Sequence, residues 1–82
     1  MAKKQKLVDK LMSMPSDFTW NEAVTLMKRH NFTLIKNSGS RRTFRHENGV
    51  KASIHEPHPQ NTLLKYAMED LVAALKSSGE IQ

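Results

Sequence analysis

The sequence has no cysteine. A disulfide framework and a thiolate metal site are therefore excluded, and the chain suits a reducing compartment, so a cytoplasmic location is expected. No apolar run approaches the roughly 18 residues a membrane-spanning helix needs, so no membrane partner is expected. The basic stretch from Met1 to Lys10 lacks an apolar centre and does not read as a secretion signal. There is no glycine-rich phosphate loop and no serine nucleophile elbow. The methionines Met12, Met14, Met27 and Met68 read as core filler or helix ends, and no cofactor is expected. No repeat or low-complexity tract is visible in the 82 residues, a length that suits one compact domain. A chain this short buries roughly 60% of its unfolded surface, so its stability should be modest.

What the sequence does have is positive charge, +5 in all. Its placement says more than its size. Lys3, Lys4, Lys6 and Lys10 stand against Asp9 in the first ten residues. Lys36, Arg41, Arg42, Arg45 and Lys51 stand against Glu47 in the centre. From residue 52 onward the balance reverses, with Lys65 and Lys76 against Glu56, Glu69, Asp70 and Glu80. A basic centre beside a mildly acidic tail points to a polyanionic partner, nucleic acid first.

Hydrophobic spacing predicts the elements. Leu7, Val8, Leu11 and Met12 recur at helical intervals until Pro15-Ser16-Asp17 breaks the pattern. This first helix is short enough to be a loosely docked appendage. Thr19 with Glu22 three residues on is a capping box for a second helix, whose stripe is Trp20, Ala23, Val24 and Met27. Lys28, Arg29 and His30 suit the negative end of its dipole, and Asn31 is a left-handed stop. Phe32 to Lys36, Arg41 to His46 and Val50 to His55 read as three strands. A last helix is predicted from about Thr62 to Ser77, with Asn61 as cap, Leu64, Ala67, Met68, Leu71, Val72 and Leu75 as stripe, and Gly79 as its end. The fold class is α+β: helix, helix, a three-stranded antiparallel sheet, helix. Residues 1–15 are read as a helical extension and 16–82 as the domain.

The hairpin register decides where the charge goes. A two-residue Asn48-Gly49 turn would pair Glu47 with Val50 and send Phe44 to the face opposite Val50, Ala52 and Ile54. A three-residue loop, Glu47-Asn48-Gly49, pairs His46 with Val50 and keeps the apolar residues together. This second register is the expected one. It gathers Arg41, Thr43, Arg45, Lys51, Ser53 and His55 on the open face, with Arg41 opposite His55.

Two kinds of chemistry follow. Lys and Arg on an open sheet face suit RNA phosphates, and Gly39 and Ser40 free backbone donors beside them. Only Phe44 is aromatic in this segment and it is assigned to the core, so a stacking platform for single strands is not expected. The second feature is His55-Glu56-Pro57-His58. Imidazoles titrate near neutrality; one could take a proton from a ribose 2′-hydroxyl and another give one to the leaving oxygen, while an arginine stabilises the phosphate. The plainer reading makes His55 a strand-end residue and His58 a loop hydrogen-bonder. A zinc site on the same two histidines lacks a third ligand. His30 and His46 are read as structural or solvated.

Asn31-Phe32 before the first strand, Ser38-Gly39-Ser40 with Thr43-Phe44, Asn48-Gly49, and His55-Glu56-Pro57-His58-Pro59 together resemble the HicA toxin family from about Trp20 to Gly79. The resemblance implies a double-stranded-RNA-binding-domain-like α-β-β-β-α fold, here with an extra N-terminal helix. It also implies an mRNA interferase of a type II toxin–antitoxin system, blocked by a HicB antitoxin. The family motif has Gly-Ser-His with a catalytic histidine, and this chain has Arg41 in that place. Three explanations follow: an inactive relative that still binds RNA, a branch using His55 or His58, or a residue altered to remove toxicity. The expected function is a metal-independent endoribonuclease acting on mRNA. His55 and His58 would be the proton carriers and Arg41 the charge stabiliser, with Lys36, Gly39, Ser40, Arg42, Arg45 and Lys51 as RNA contacts. The alternatives are a non-catalytic RNA-binding module of the same fold and a domain whose basic face binds an acidic protein.

Overall fold

Thr19 and Glu22 close the expected capping box in a computed structural model that describes residues 2–57 and 60–81. The Glu22 amide donates to Thr19 Oγ1 at 3.1 Å, and the Thr19 amide donates to Glu22 Oε1 at 2.9 Å. The elements are α1 (Ala2–Met12), α2 (Trp20–Arg29), β1 (Phe32–Lys36), β2 (Arg41–His46), β3 (Lys51–His55) and α3 (Lys65–Ser77). The sheet is antiparallel in the order β1-β2-β3. After α1, the order α-β-β-β-α is that of a double-stranded-RNA-binding-domain-like α+β fold.

The three-residue hairpin register holds. Phe44 pairs with Ala52, Arg45 with Lys51 and Arg41 with His55. The His46 amide donates to the Val50 carbonyl at 2.7 Å, and Gly49 sits at φ +99°, where a side chain would be strained. Phe32, Phe44, Ala52 and Ile54 therefore face the helices, and Trp20 of α2 lies 5.6 Å from Phe44 between ring centroids.

The first helix is not loosely attached. Val8 and Leu11 are buried in the same cluster as Phe18, Leu26, Leu71 and Leu75. Lys10 Nζ meets Glu22 Oε2 at 2.8 Å. Burial works against the Glu22 carboxylate, but Lys10 and the Thr19 donors outweigh it and hold its pKa below the ordinary value.

The last helix starts later than the sequence predicts. The Asn61 carbonyl accepts from the Trp20 amide at 2.6 Å, and the Leu63 amide donates to the Phe18 carbonyl at 2.8 Å. Thr62 forms a bridge with Thr19. The backbone before α3 is committed to the segment entering α2, so Asn61 does not cap. Leu64 is the N-cap, without a side-chain cap bond. Leu63 is buried in its place, and Leu64, expected in the core stripe, is 65% exposed.

At the far end, Gly79 takes φ +84°. Its amide donates to Lys76 O and the Glu80 amide to Leu75 O, a Schellman closure. That closure aims Glu80 at two buried histidines. His30 Nδ1 lies 3.1 Å from Glu80 Oε1 and His46 Nε2 2.8 Å from Glu80 Oε2. His46 Nδ1 accepts from the Asn48 amide, so Nε2 carries the proton and donates to the carboxylate. Chiefly through His46, against partial burial and with help from Asn31 and His30, the Glu80 pKa is held down to about 2.

Candidate functional site

The turn between β1 and β2 is built by local rules. Gly39 takes φ +63°, the Arg41 amide donates to Ser38 O, and the Asn37 amide donates to Arg41 O. Thr43 Oγ1 donates to Asn37 Oδ1 at 2.9 Å, which leaves the Ser53 hydroxyl to donate to Thr43 at 3.0 Å. The hydroxyls of the open face thus fix the turn that carries Ser40.

Ser40 meets the end of β3 twice. Its carbonyl accepts from the Glu56 amide at 2.7 Å, and its Oγ lies 3.3 Å from His55 Nδ1. His55 is exposed, and its Nε2 makes no hydrogen bond among the described residues. Arg41 is its cross-strand partner on the same face. A cleft of about 270 Å³ opens at this point. Its lining includes Ser40, His55 and Pro57 together with Leu64, Tyr66 and Ala67 at and just before the start of α3. A neighbouring hollow of about 240 Å³ shares Ser40 and Pro57 and adds Gly39 and Arg42.

The remaining candidates divide by strand parity. Arg45 and Lys51 face each other directly on the open side, and neither makes an ion pair among the described residues. Like charges in directly opposed positions destabilise a sheet. The other open-face residues of the three strands are Thr33, Ile35, Arg41, Thr43, Ser53 and His55, so none of those strand positions carries a carboxylate.

Lys36 and Arg42 pair with each other and have the parity of Phe44 and Ile54, so they are not on that face. Lys36 is exposed at the end of β1. Arg42 is occupied: Nε donates to Glu56 Oε1 at 3.0 Å, and Nη1 donates to the carbonyls of Gly39 and Arg41, each at 2.8 Å. It clamps the Gly39-Ser40 turn to the residue after β3. His58 lies outside the described residues. No group of three or more His, Asp or Glu able to hold a metal ion occurs among the described residues.

Two parts of this arrangement escaped the sequence reading. Leu64 and Tyr66 line the cleft, whereas helical spacing counted from Thr62 places Leu64 in the core. Tyr66 did carry a signal: it precedes Ala67 and Met68 and falls outside the stripe they begin. The Glu80 cluster had no signal, since its members are 34 and 50 residues apart.

No helix among the described residues is long and apolar enough to cross a membrane. A family model described as HicA toxin of bacterial toxin-antitoxin matches residues 20–79, the span that begins with α2 and ends after α3. No curated protein and no solved structure matches the chain.

Proposed function

The chain belongs to the HicA toxin family, and from that premise we propose an RNA-directed toxin that cleaves mRNA without a metal ion, acts in the cytoplasm and is blocked by a HicB-like antitoxin. Residues 16–82 form the toxin domain, and residues 1–15 are an extension that shares its core. The observation that carries the reading is the hydrogen bond between Ser40 Oγ and His55 Nδ1, at the edge of a cleft and beside Arg41.

With Nδ1–H donating to Ser40, neutral His55 presents the Nε2 lone pair as a base. It takes the 2′-hydroxyl proton of a bound ribose. The 2′-oxygen attacks the adjacent phosphorus, the P–O5′ bond breaks, and a proton is returned to O5′. His58 is the proposed donor, on its position three residues from His55. Arg41 offsets the charge that builds on the phosphoryl oxygens. The products are a 2′,3′-cyclic phosphate and a 5′-hydroxyl.

Arg45 and Lys51 favour the second reading, binding without cleavage. These directly opposed like charges suit a polyanion along the open face and lie away from His55. An antitoxin that covers this face with acidic residues is the simplest form of inhibition. Purified protein incubated with mRNA and a chelator separates the readings. Cleavage that falls with His55→Ala and His58→Ala supports the enzyme. Salt-sensitive binding with no cleavage by the wild type leaves the binding module. Cleavage untouched by both substitutions removes the catalytic assignment.

A further inference from the structure

We infer that Tyr66 is a stacking platform for one unpaired nucleobase next to the bond the cleft acts on, so that the substrate is single-stranded or locally opened RNA. The inference rests on the RNA-directed reading of the cleft and adds to it the strandedness of the substrate.

The chain has five Phe, Tyr and Trp residues. Phe18, Trp20, Phe32 and Phe44 are buried in the core, and Tyr66 alone is half exposed, at 50%. The core does not hold it: Ala67, Met68, Leu71, Ala74 and Leu75 form the buried side of α3. The exposed ring lines the same cleft as Ser40 and His55, with the ring of Pro57 and the exposed Leu64 beside it. An apolar, π-faced surface within the cleft of a basic protein is what a base needs and what a duplex backbone does not use. At about 270 Å³ the cleft falls just under the roughly 300–1,000 Å³ of sites that bury a whole drug-sized ligand. That is room for a nucleobase.

The open face and the cleft then divide the work. Arg41, Arg45 and Lys51 hold phosphates without regard to sequence. The ring selects for a nucleotide free to leave its neighbours, since bases inside an A-form helix keep their faces covered. Unpairing also frees the 2′-hydroxyl to reach the in-line position behind its phosphate.

The test is binding of intact protein to a single-stranded RNA oligonucleotide carrying 2-aminopurine, whose fluorescence reports stacking, with the matching duplex in parallel. Tyr66 is exposed on a helix, so Tyr66→Ala keeps the fold. The expected result is a fluorescence change with wild type and Tyr66→Phe that Tyr66→Ala loses, with affinity for the single strand reduced roughly tenfold. Affinity for the duplex stays unchanged. Equal binding and an equal fluorescence change in wild type and Tyr66→Ala would overturn the inference, as would wild-type preference for the duplex. Cleavage is not read in this assay. A protein that stacks the base but never cuts keeps this inference and loses the endonuclease, while His55-dependent cutting indifferent to Tyr66→Ala does the reverse. No RNA binding at low salt removes both.

Discussion

Ser40 Oγ and His55 Nδ1 lie 3.3 Å apart, across the two ends of adjacent strands. The contact joins the tip of the β1–β2 turn to the end of β3, and the Glu56 amide fixes the same serine through its carbonyl at 2.7 Å. One imidazole nitrogen is thereby occupied and the ring is oriented, which is the arrangement a proton carrier requires. Arg41 pairs with His55 across the two strands, so the guanidinium and the imidazole share one end of the open face.

His55→Ala should lower the rate of mRNA cleavage roughly 100-fold or more, the usual worth of a general acid or base. Ser40→Ala should lower kcat by a smaller factor, about tenfold, with little change in KM, because it loosens the ring without removing it. Single-turnover cleavage in chelator measures both. Equal loss of affinity and rate in Ser40→Ala would show that the serine binds RNA instead of orienting the histidine.

The charges of the two sheet faces should behave differently. Lys51→Ala should raise stability without RNA by about 0.2–1 kcal/mol, since it relieves the pair with Arg45. The same substitution should weaken RNA binding and reduce the slope of log affinity against log salt by about 1. Arg42→Ala should leave that slope alone and cost about 1–2 kcal/mol, through its lost bonds to Glu56 and the turn carbonyls. Urea unfolding paired with a salt titration of binding checks both.

Leu11 tests the standing of α1. The family match begins at residue 20, yet Leu11 is fully buried against the domain. Leu11→Ala should cost about 2–5 kcal/mol, as truncations in a close-packed core do. In a domain of this size that lowers Tm by at least roughly 8 °C. A thermal transition unchanged by the substitution would mean that α1 is dispensable to the fold.

Glu80 sets an acid limit. Its pKa is held at about 2 in the folded chain against an ordinary 4.5, so the folded state binds fewer protons than the unfolded one between those values. The stabilisation is complete above about pH 4.5 and is lost as pH falls toward 2. Glu80→Gln should cost about 2 kcal/mol at neutral pH, the scale of hydrogen bonds to a charged group. Its stability should then fall less steeply than the wild type's as the pH is lowered from 5 to 3, as denaturant midpoints would report.

The sequence by itself determined what depends on neighbours along the chain. The capping box of Thr19 and Glu22, the left-handed residues Asn31 and Gly79, and the alternation that puts Arg41, Arg45, Lys51 and His55 on one face are all consequences of helical and strand periods. The hairpin register was legible because only one choice keeps Phe44 with Ala52 and Ile54. Tertiary structure alone decided the rest. Asn61 loses its role as a cap because its carbonyl is taken by Trp20, and the later helix start turns Leu64 outward and leaves Tyr66 at the cleft. Arg42 pairs with Glu56, and Glu80 finds two histidines from other elements. Each of these is a pairing between residues far apart in sequence, formed when the packed core fixes where their elements meet. No spacing along the chain encodes such a pairing.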